Sequence, residues 1–287
     1  MMKPSAAILP CGRRLHLQHG PIDLIIGVDQ NQHIAFEAAK YRFKTILAEL
    51  VLELAELRLP LNEGLKTPDG DIAQRMDLAC RLHALNEFVT RMAAVAGSVA
   101  DEIMFAMKRA TSFQKAYVNN GGDIALYLEG KERFVTAMVS HNGVELGRIE
   151  VDAGDQISGI ATSGRHGRSH SLGIADSVTV LAGNAAQADV AATLIANAVD
   201  IPGHSSIKRI AASELSPDSD LGDKLVVIGC DKLAVEDQRY AIERGKAKAD
   251  ELLNKGLIKS VAIFLQDKHR LIGQDNLTIK ERMIQYA

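Results

Sequence analysis

The sequence predicts an α+β fold of mixed or antiparallel sheets with packed helices. Three observations carry this. A helical apolar period runs through residues 34–58, and strand-like runs occupy 17–28, 116–128, 133–139 and 146–151. Helices and strands are interspersed, yet no βαβ series opens on a phosphate loop, which disfavours a doubly wound sheet. The chain has 287 residues, 47% of them hydrophobic, so it can bury a core without disulfide or metal staples.

Residues 17–28, LQHGPIDLIIGV, read as a strand with a turn at Gly20-Pro21. In 34–58, Phe36, Ala39, Phe43, Ile46, Leu47, Leu50, Leu54 and Leu57 recur at three- and four-residue steps, with Lys40, Lys44, Glu49 and Glu56 off that stripe. Pro60 should stop the helix, and 61–75 reads as loop. A second helix is expected over 92–110, its first half so rich in Ala and Gly that another element must pack closely on it. The strand runs are punctuated by Gly130 and Asn142-Gly143. A glycine-rich segment at 159–173 leads into a strand at 177–182, and Asn184 caps a helix over 184–199. A strand at 224–229, a helix at 236–255 and an apolar run at 260–265 complete the chain. The expectation is a single domain over 1–287, with room for two lobes, and 1–14 flexible.

Bulk chemistry narrows the function. The formal net charge is −3, aromatics are 4% and tryptophan is absent, which disfavours a nucleic-acid partner. The longest charge-free apolar stretch, between Asp176 and Asp189, is shorter than the about 20 residues a membrane span needs. No secretory leader pattern opens the chain, so a cytoplasmic location is expected. Cys11, Cys80 and Cys230 are far apart, form no metal-ligand spacing and lie in no obviously electropositive setting. The Ala/Gly-rich surfaces would suit packing of subunits in a homo-oligomer.

Three segments could carry chemistry. Asn119-Asn120-Gly121-Gly122-Asp123 interrupts a β-forming run. Paired glycines there mean either a tight turn or a close approach of a ligand to the backbone. The segment 159–173, GIATSGRHGRSHSLG, combines four glycines and four hydroxyls with Arg165, His166, Arg168 and His170. Freed amides and guanidinium forks can cradle phosphate, though a solvated basic loop reads equally well. Ser163, His166 and Asp176 have the residue types of a catalytic triad, but no GxSxG elbow presents the serine. On the third segment, Asp189 and Thr193 share a helical face among small apolar residues. They could hold a hard cation, or the aspartate could be satisfied by hydrogen bonds alone. Asp218, Asp220 and Asp223 in LSPDSDLGD read as a surface turn.

Taken together, AYVNNGGDIAL, GIATSG and SVTVLAGNAAQADVAATLIANAV resemble the "NxGGDI", "TSG" and "TV…A…ADAxAT" motifs of the flavin-transferase (ApbE) superfamily, in matching order. Upstream, MAAVAGSVADEI resembles that superfamily's "AKGYAVD" helix, with Gly97 and Asp101 at matching positions. The likeness is closer still to a branch distinct from the characterised members, and it covers roughly residues 15–265. The resemblance implies an ApbE-like α+β fold and a Mg²⁺-dependent protein acting on FAD or FMN. It also implies metal ligation by Asp189, Thr193 and the backbone carbonyl of Val95. The expected ligand pocket, from the segments read above, is Asn119, Asn120, Gly121, Gly122, Asp123, Thr162, Ser163, Gly164, Arg165 and Arg168. His166 and His170 are the expected proton-transfer groups. Three departures argue against transfer of FMN onto a protein threonine. Ala96 stands where the motif has lysine, Arg165-His166-Gly167 follow "TSG", and the "DPxTG" stretch is replaced by residues 172–177. The expectation is therefore a transferase, hydrolase or binding protein for a flavin nucleotide or related phosphorylated small molecule. The other reading is a thiol-dependent, non-flavin accessory protein of metabolism that handles a small molecule or sulfur.

Overall fold

The structure is a computed structural model and describes residues 3–84 and 87–280. In chain order the strands are β1 Ser5–Ile8, β2 Arg14–His19, β3 Ile22–Val28, β4 Lys115–Asn120, β5 Asp123–Leu128, β6 Arg133–Val139 and β7 Glu145–Asp152. They continue as β8 Gly159–Ser163, β9 Ser177–Ala182, β10 Ile207–Ala211, β11 Leu225–Cys230, β12 Ser260–Leu265, β13 Lys268–Gly273 and β14 Leu277–Ile279. The helices are α1 Gln32–Leu52, α2 Leu54–Leu57, α3 Asp71–Arg81, α4 Val95–Ala110, α5 Ala185–Ala198, α6 Ala212–Leu215 and α7 Val235–Asn254.

Nine strands form one sheet in the order β1-β2-β3-β4-β5-β8-β9-β12-β13, every pairing antiparallel. Its two faces are covered differently, and residue parity shows how. In β12, Val261, Ile263 and Leu265 pack with α5 and α7, whereas Ala262 and Phe264 point the other way. There they meet Met138, Ile149 and Leu277 of the small sheet β14-β7-β6. Alternate side chains lie on opposite faces of a strand, so a strand covered on both sides becomes a continuous apolar run, as in SVAIFL. At the other end of the sheet, α1, α3 and α4 bury Phe43, Met76 and Ile103 against Leu17, Leu24 and Val118. The result is helices, central sheet and small sheet in three layers.

The α+β class and the major helices agree with the sequence reading, and the differences have local causes. The stretch 61–75, read as loop, includes the start of α3, whose Ile72, Ala73, Met76, Ala79 and Cys80 are buried at helical spacing. Residues 1–14, expected to be flexible, contain β1, paired along its length with β2. The start of the glycine-rich segment is strand β8, not loop. A side chain at Gly159 would run into the Asn184 carbonyl, so this glycine serves close packing of α5. The first helix breaks at Glu53, before Pro60, where the Glu53 backbone leaves helical geometry and its carboxylate accepts the Asp69 and Gly70 N–H groups, both at 2.8 Å.

Candidate functional site

A cavity of about 690 Å³ opens where the β4–β5 hairpin, the β8–β9 connection, α5 and the start of α4 meet. Its wall holds Val95, Gly121, Asp123, Thr162, Ser163, Gly164, His166, Arg168, His170, Asp189 and Thr193, which come from four separate stretches of sequence. Asn119 and Gly122 line an adjoining cavity of about 330 Å³. Two expected residues lie elsewhere. Asn120 is buried and donates its amide to the Ala96 carbonyl at 3.1 Å, tying the hairpin to α4. Arg165 lines neither cavity, because its guanidinium is held by Asp176 at 2.7 Å.

The backbone explains the placement. Asn120 and Asp123 pair across a two-residue turn, and Gly121 (φ 66°) and Gly122 (φ 118°) adopt the left-handed geometry such turns require. The turn reading of the double glycine holds, and Gly121 also makes room for the Arg168 guanidinium, with which a Cβ there would collide. Arg168 further donates to the Pro21 carbonyl at 3.3 Å, which lays it over the hairpin tip. On the opposite wall, Asn184 caps α5 by accepting the Gln187 N–H at 2.8 Å. Asp101 of α4 accepts the Ala185 and Ala186 N–H groups at 3.1 and 2.9 Å, docking the start of α5 on α4. The close approach needs Gly97, where a Cβ would meet the Ala185 carbonyl. That docking brings Asp189 to the Gly97 N–H at 3.0 Å.

The electrostatics are unusual for so small a volume. Burial pushes the Asp123 carboxyl up to about 7, opposed by the Thr162 N–H and the Arg168 charge. Burial and then the Asp123 charge raise Asp189 well above the usual carboxylate range, although it accepts backbone N–H groups. Asp101 is raised to about 6, again by burial. Carboxylates crowded this way favour a bound cation or shared protons. Among the described residues no three His, Cys, Asp or Glu side chains gather as a metal set. Asp123, Asp189 and Thr193 are side chains of this wall that could hold a hard cation, which commonly takes one or two carboxylates and completes its shell with water and phosphate oxygens.

His166 stands on the wall between the two cavities. Its Nε2 lies 3.2 Å from Asp176 Oδ1, and its ring stacks on His141 with centroids 3.7 Å apart. Burial and the neighbouring Arg165 and His141 lower its pKa. No hydrogen bond links Ser163 to His166, and Arg165 shares the Asp176 oxygen, so the triad geometry is absent. Sequence reasoning missed the far wall. Asp218 and Asp220, read as a surface turn, line the larger cavity with Arg58 and Phe88. The turn reading is sound locally, but only tertiary contact, including the Thr90 hydroxyl on Asp220, brings it to the site. His141 gave no sequence signal. One cysteine also needs correction. Cys11 has a charged neighbour after all, with Arg14 Nε 3.5 Å from its sulfur lowering the thiol pKa.

The family described as AbpE bacteria matches residues 6–271. The chain is 34% identical to the UPF0280 protein of Methanobrevibacter smithii over 221 residues, covering 70% of this chain and 91% of that protein. It is also 34% identical to the UPF0280 protein of Methanothrix thermoacetophila over 176 residues, covering 61% and 71%. Among solved structures, the ApbE protein of Thermotoga maritima aligns with a TM-score of 0.55 over 94% of this chain and 97% of its own, at 12% identity. That last likeness is one of fold.

Proposed function

The chain belongs to the AbpE bacteria family, and from that premise we propose that its larger cavity binds FAD, FMN or a related phosphorylated small molecule together with Mg²⁺. The observation that carries this is the acidic pair Asp123 and Asp189 facing the same cavity as Arg168. A diphosphate needs a cation on one side and charge-assisted donors on the other. In this reading Asp189, Thr193 and the Val95 carbonyl hold the metal, with Asp123 beside them. When bound, the metal neutralises phosphate charge. Arg168 and the polar groups at the end of β8, Ser163 and Gly164 beyond the Thr162 N–H already given to Asp123, receive the remaining phosphate oxygens. His166, neutral at physiological pH because its pKa is lowered, can accept a proton, and the exposed His170 stands at the same wall.

Transfer of FMN onto a protein is not part of the proposal. Ala96 offers a methyl group where the transferase motif has an ammonium, and its carbonyl is taken by Asn120. Cleavage of a flavin nucleotide, or binding alone, is the chemistry this wall supports. The test is calorimetric titration with FAD and FMN, with and without Mg²⁺. Mg²⁺-dependent binding is expected, and absence of binding to both at millimolar Mg²⁺ would sink the reading.

The thiol-dependent reading has one observation in its favour, the exposed Cys11 with its Arg14 neighbour. Cys11 lies between β1 and β2 and lines neither cavity, which places it second. The proposal also takes the protein as cytoplasmic and homo-oligomeric. Among the described residues no helix is long and apolar enough to cross a membrane.

A further inference from the structure

The smaller cavity is a separate chamber with different chemistry. It lies between the central sheet and the small sheet, since its walls include Ile124, Ile160 and Thr179 of the first and Thr136, Met138 and Ile149 of the second. The two cavities share Gly121, Thr162, Ser163, Gly164, His166 and Gly167, so the β8–β9 loop is a common wall. A ligand lying across that loop would have one end in each.

The wall residues decide which end goes where. No Lys or Arg lines the smaller cavity, and Asp176 does. Arg165 is held by Asp176 and lines neither cavity, and Arg168 crosses Gly121 on the side of the larger one. Phosphate would meet there a carboxylate whose guanidinium partner is already engaged, with no Lys or Arg on the lining to receive it. The apolar floor of Ile124, Ile160, Met138 and Ile149 instead suits a planar, weakly charged group. Thr162 and Thr179, 2.9 Å apart through their hydroxyls, and Asn119 provide donors and acceptors for the edge of a heterocycle. The stacked pair His141–His166 adds a flat aromatic surface contributed by both layers. A volume of about 330 Å³ is at the small end for ligand sites, enough for a ring system and too small for a whole dinucleotide.

We propose that this cavity is a ring subsite, receiving the planar heteroaromatic group of a phosphorylated ligand whose phosphates lie across the β8–β9 loop by Arg168. The proposal rests on the phosphorylated-ligand reading above and adds the ligand's orientation. His141, on the β6–β7 turn, forms the outer wall of the ring subsite.

The experiment compares FMN with inorganic pyrophosphate, both with Mg²⁺, on the full chain and two variants. Thr136→Phe fills the subsite from the small sheet, and His141→Ala removes its outer wall from an exposed turn. Each should weaken FMN by about tenfold or more while leaving pyrophosphate within about twofold, because only the ring end loses its place. The visible absorption band of FMN should sharpen on the parent protein, as it does in apolar surroundings, and less so on Thr136→Phe. Unchanged FMN affinity in both variants, or equal loss of FMN and pyrophosphate at an unaltered melting temperature, would overturn the subsite. If the parent protein binds pyrophosphate with Mg²⁺ and not FMN, the ring assignment is also wrong while the phosphate site stands. Failure to bind either probe would remove the underlying reading and this inference with it.

Discussion

Asp123, Asp189 and Arg168 concentrate the site's electrostatics in three side chains, and each yields an expectation. Asp123 titrates near 7 in the folded chain against an ordinary value of 3.8. Between those values the folded state binds more protons than the unfolded one. Its stability contribution therefore falls as pH rises through that window. Asp123→Asn removes the effect, so its melting temperature should gain on the parent between pH 4 and 8. A pH-independent difference would mean that Asp123 is not strained. The same sign makes Mg²⁺ binding strengthen as pH rises through about 7, since a cation favours the ionised carboxylate. Asp189→Ala should abolish Mg²⁺-dependent ligand binding, checked by calorimetry, yet leave a folded protein, because it deletes charge and little packing. Arg168→Gln should weaken pyrophosphate by about tenfold or more, since a hydrogen bond to a charged group contributes about 1.5–3 kcal/mol. Part of this should vanish in the parent at high salt, because Arg168 is exposed. Arg165→Gln should leave pyrophosphate affinity unchanged, since Asp176 already holds that guanidinium.

At the level of elements, the site depends on how closely α4 and α5 pack. Gly97→Ala places a methyl group against the Ala185 backbone, where no flexible side chain can yield. Overpacking of this kind costs about 1–3 kcal/mol, and chemical denaturation should show it. It should also weaken Mg²⁺ binding, because Gly97 positions Asp189 through its N–H. A second element-level device fixes the loop between α2 and α3 beside the cavity. Arg91, fully buried, binds Asp77 at 2.6 Å and the Glu56 and Lys66 carbonyls. Arg91→Ala would leave Asp77 only with Arg81 and should cost about 3–5 kcal/mol, as expected when one partner of a buried pair is removed.

For the whole molecule, the reaction is the open quantity. Incubation with FAD, Mg²⁺ and an acceptor protein bearing a flavinylation motif should leave the acceptor's mass unchanged. Phosphoryl-type transfer depends on positioning and charge neutralisation, and Ala96 withdraws a cation from the wall. Stoichiometric gain of an FMN mass would restore the transferase reading. The layered architecture supports this concentration of chemistry. Helices cover one face of the central sheet and the small sheet covers part of the other, and the β8–β9 loop is the wall the two cavities share.

The sequence by itself determined the α+β class, the long helices α1, α4, α5 and α7, and many of the residues that line the two cavities. These are local properties: a stripe of Phe36, Ala39 and Phe43, the Asn184 cap, the double glycine at a turn. It also determined that α4 needs a close neighbour, because Gly97 sits among small residues. What it misjudged depended on long-range contact. The strand β8 is hidden in a glycine-rich segment, because only the fold shows that Gly159 serves close packing against the Asn184 carbonyl. Arg165 and Arg168 are indistinguishable in sequence, and only the fold gives one to Asp176 and the other to the cavity beside Gly121. Asp220 and His141 entered the picture through partners 130 and 25 positions away, Thr90 and His166. Tertiary structure alone decided these, because the energy of a buried charge or a stacked ring is set by what packs around it, and that neighbourhood is not written in the adjacent residues.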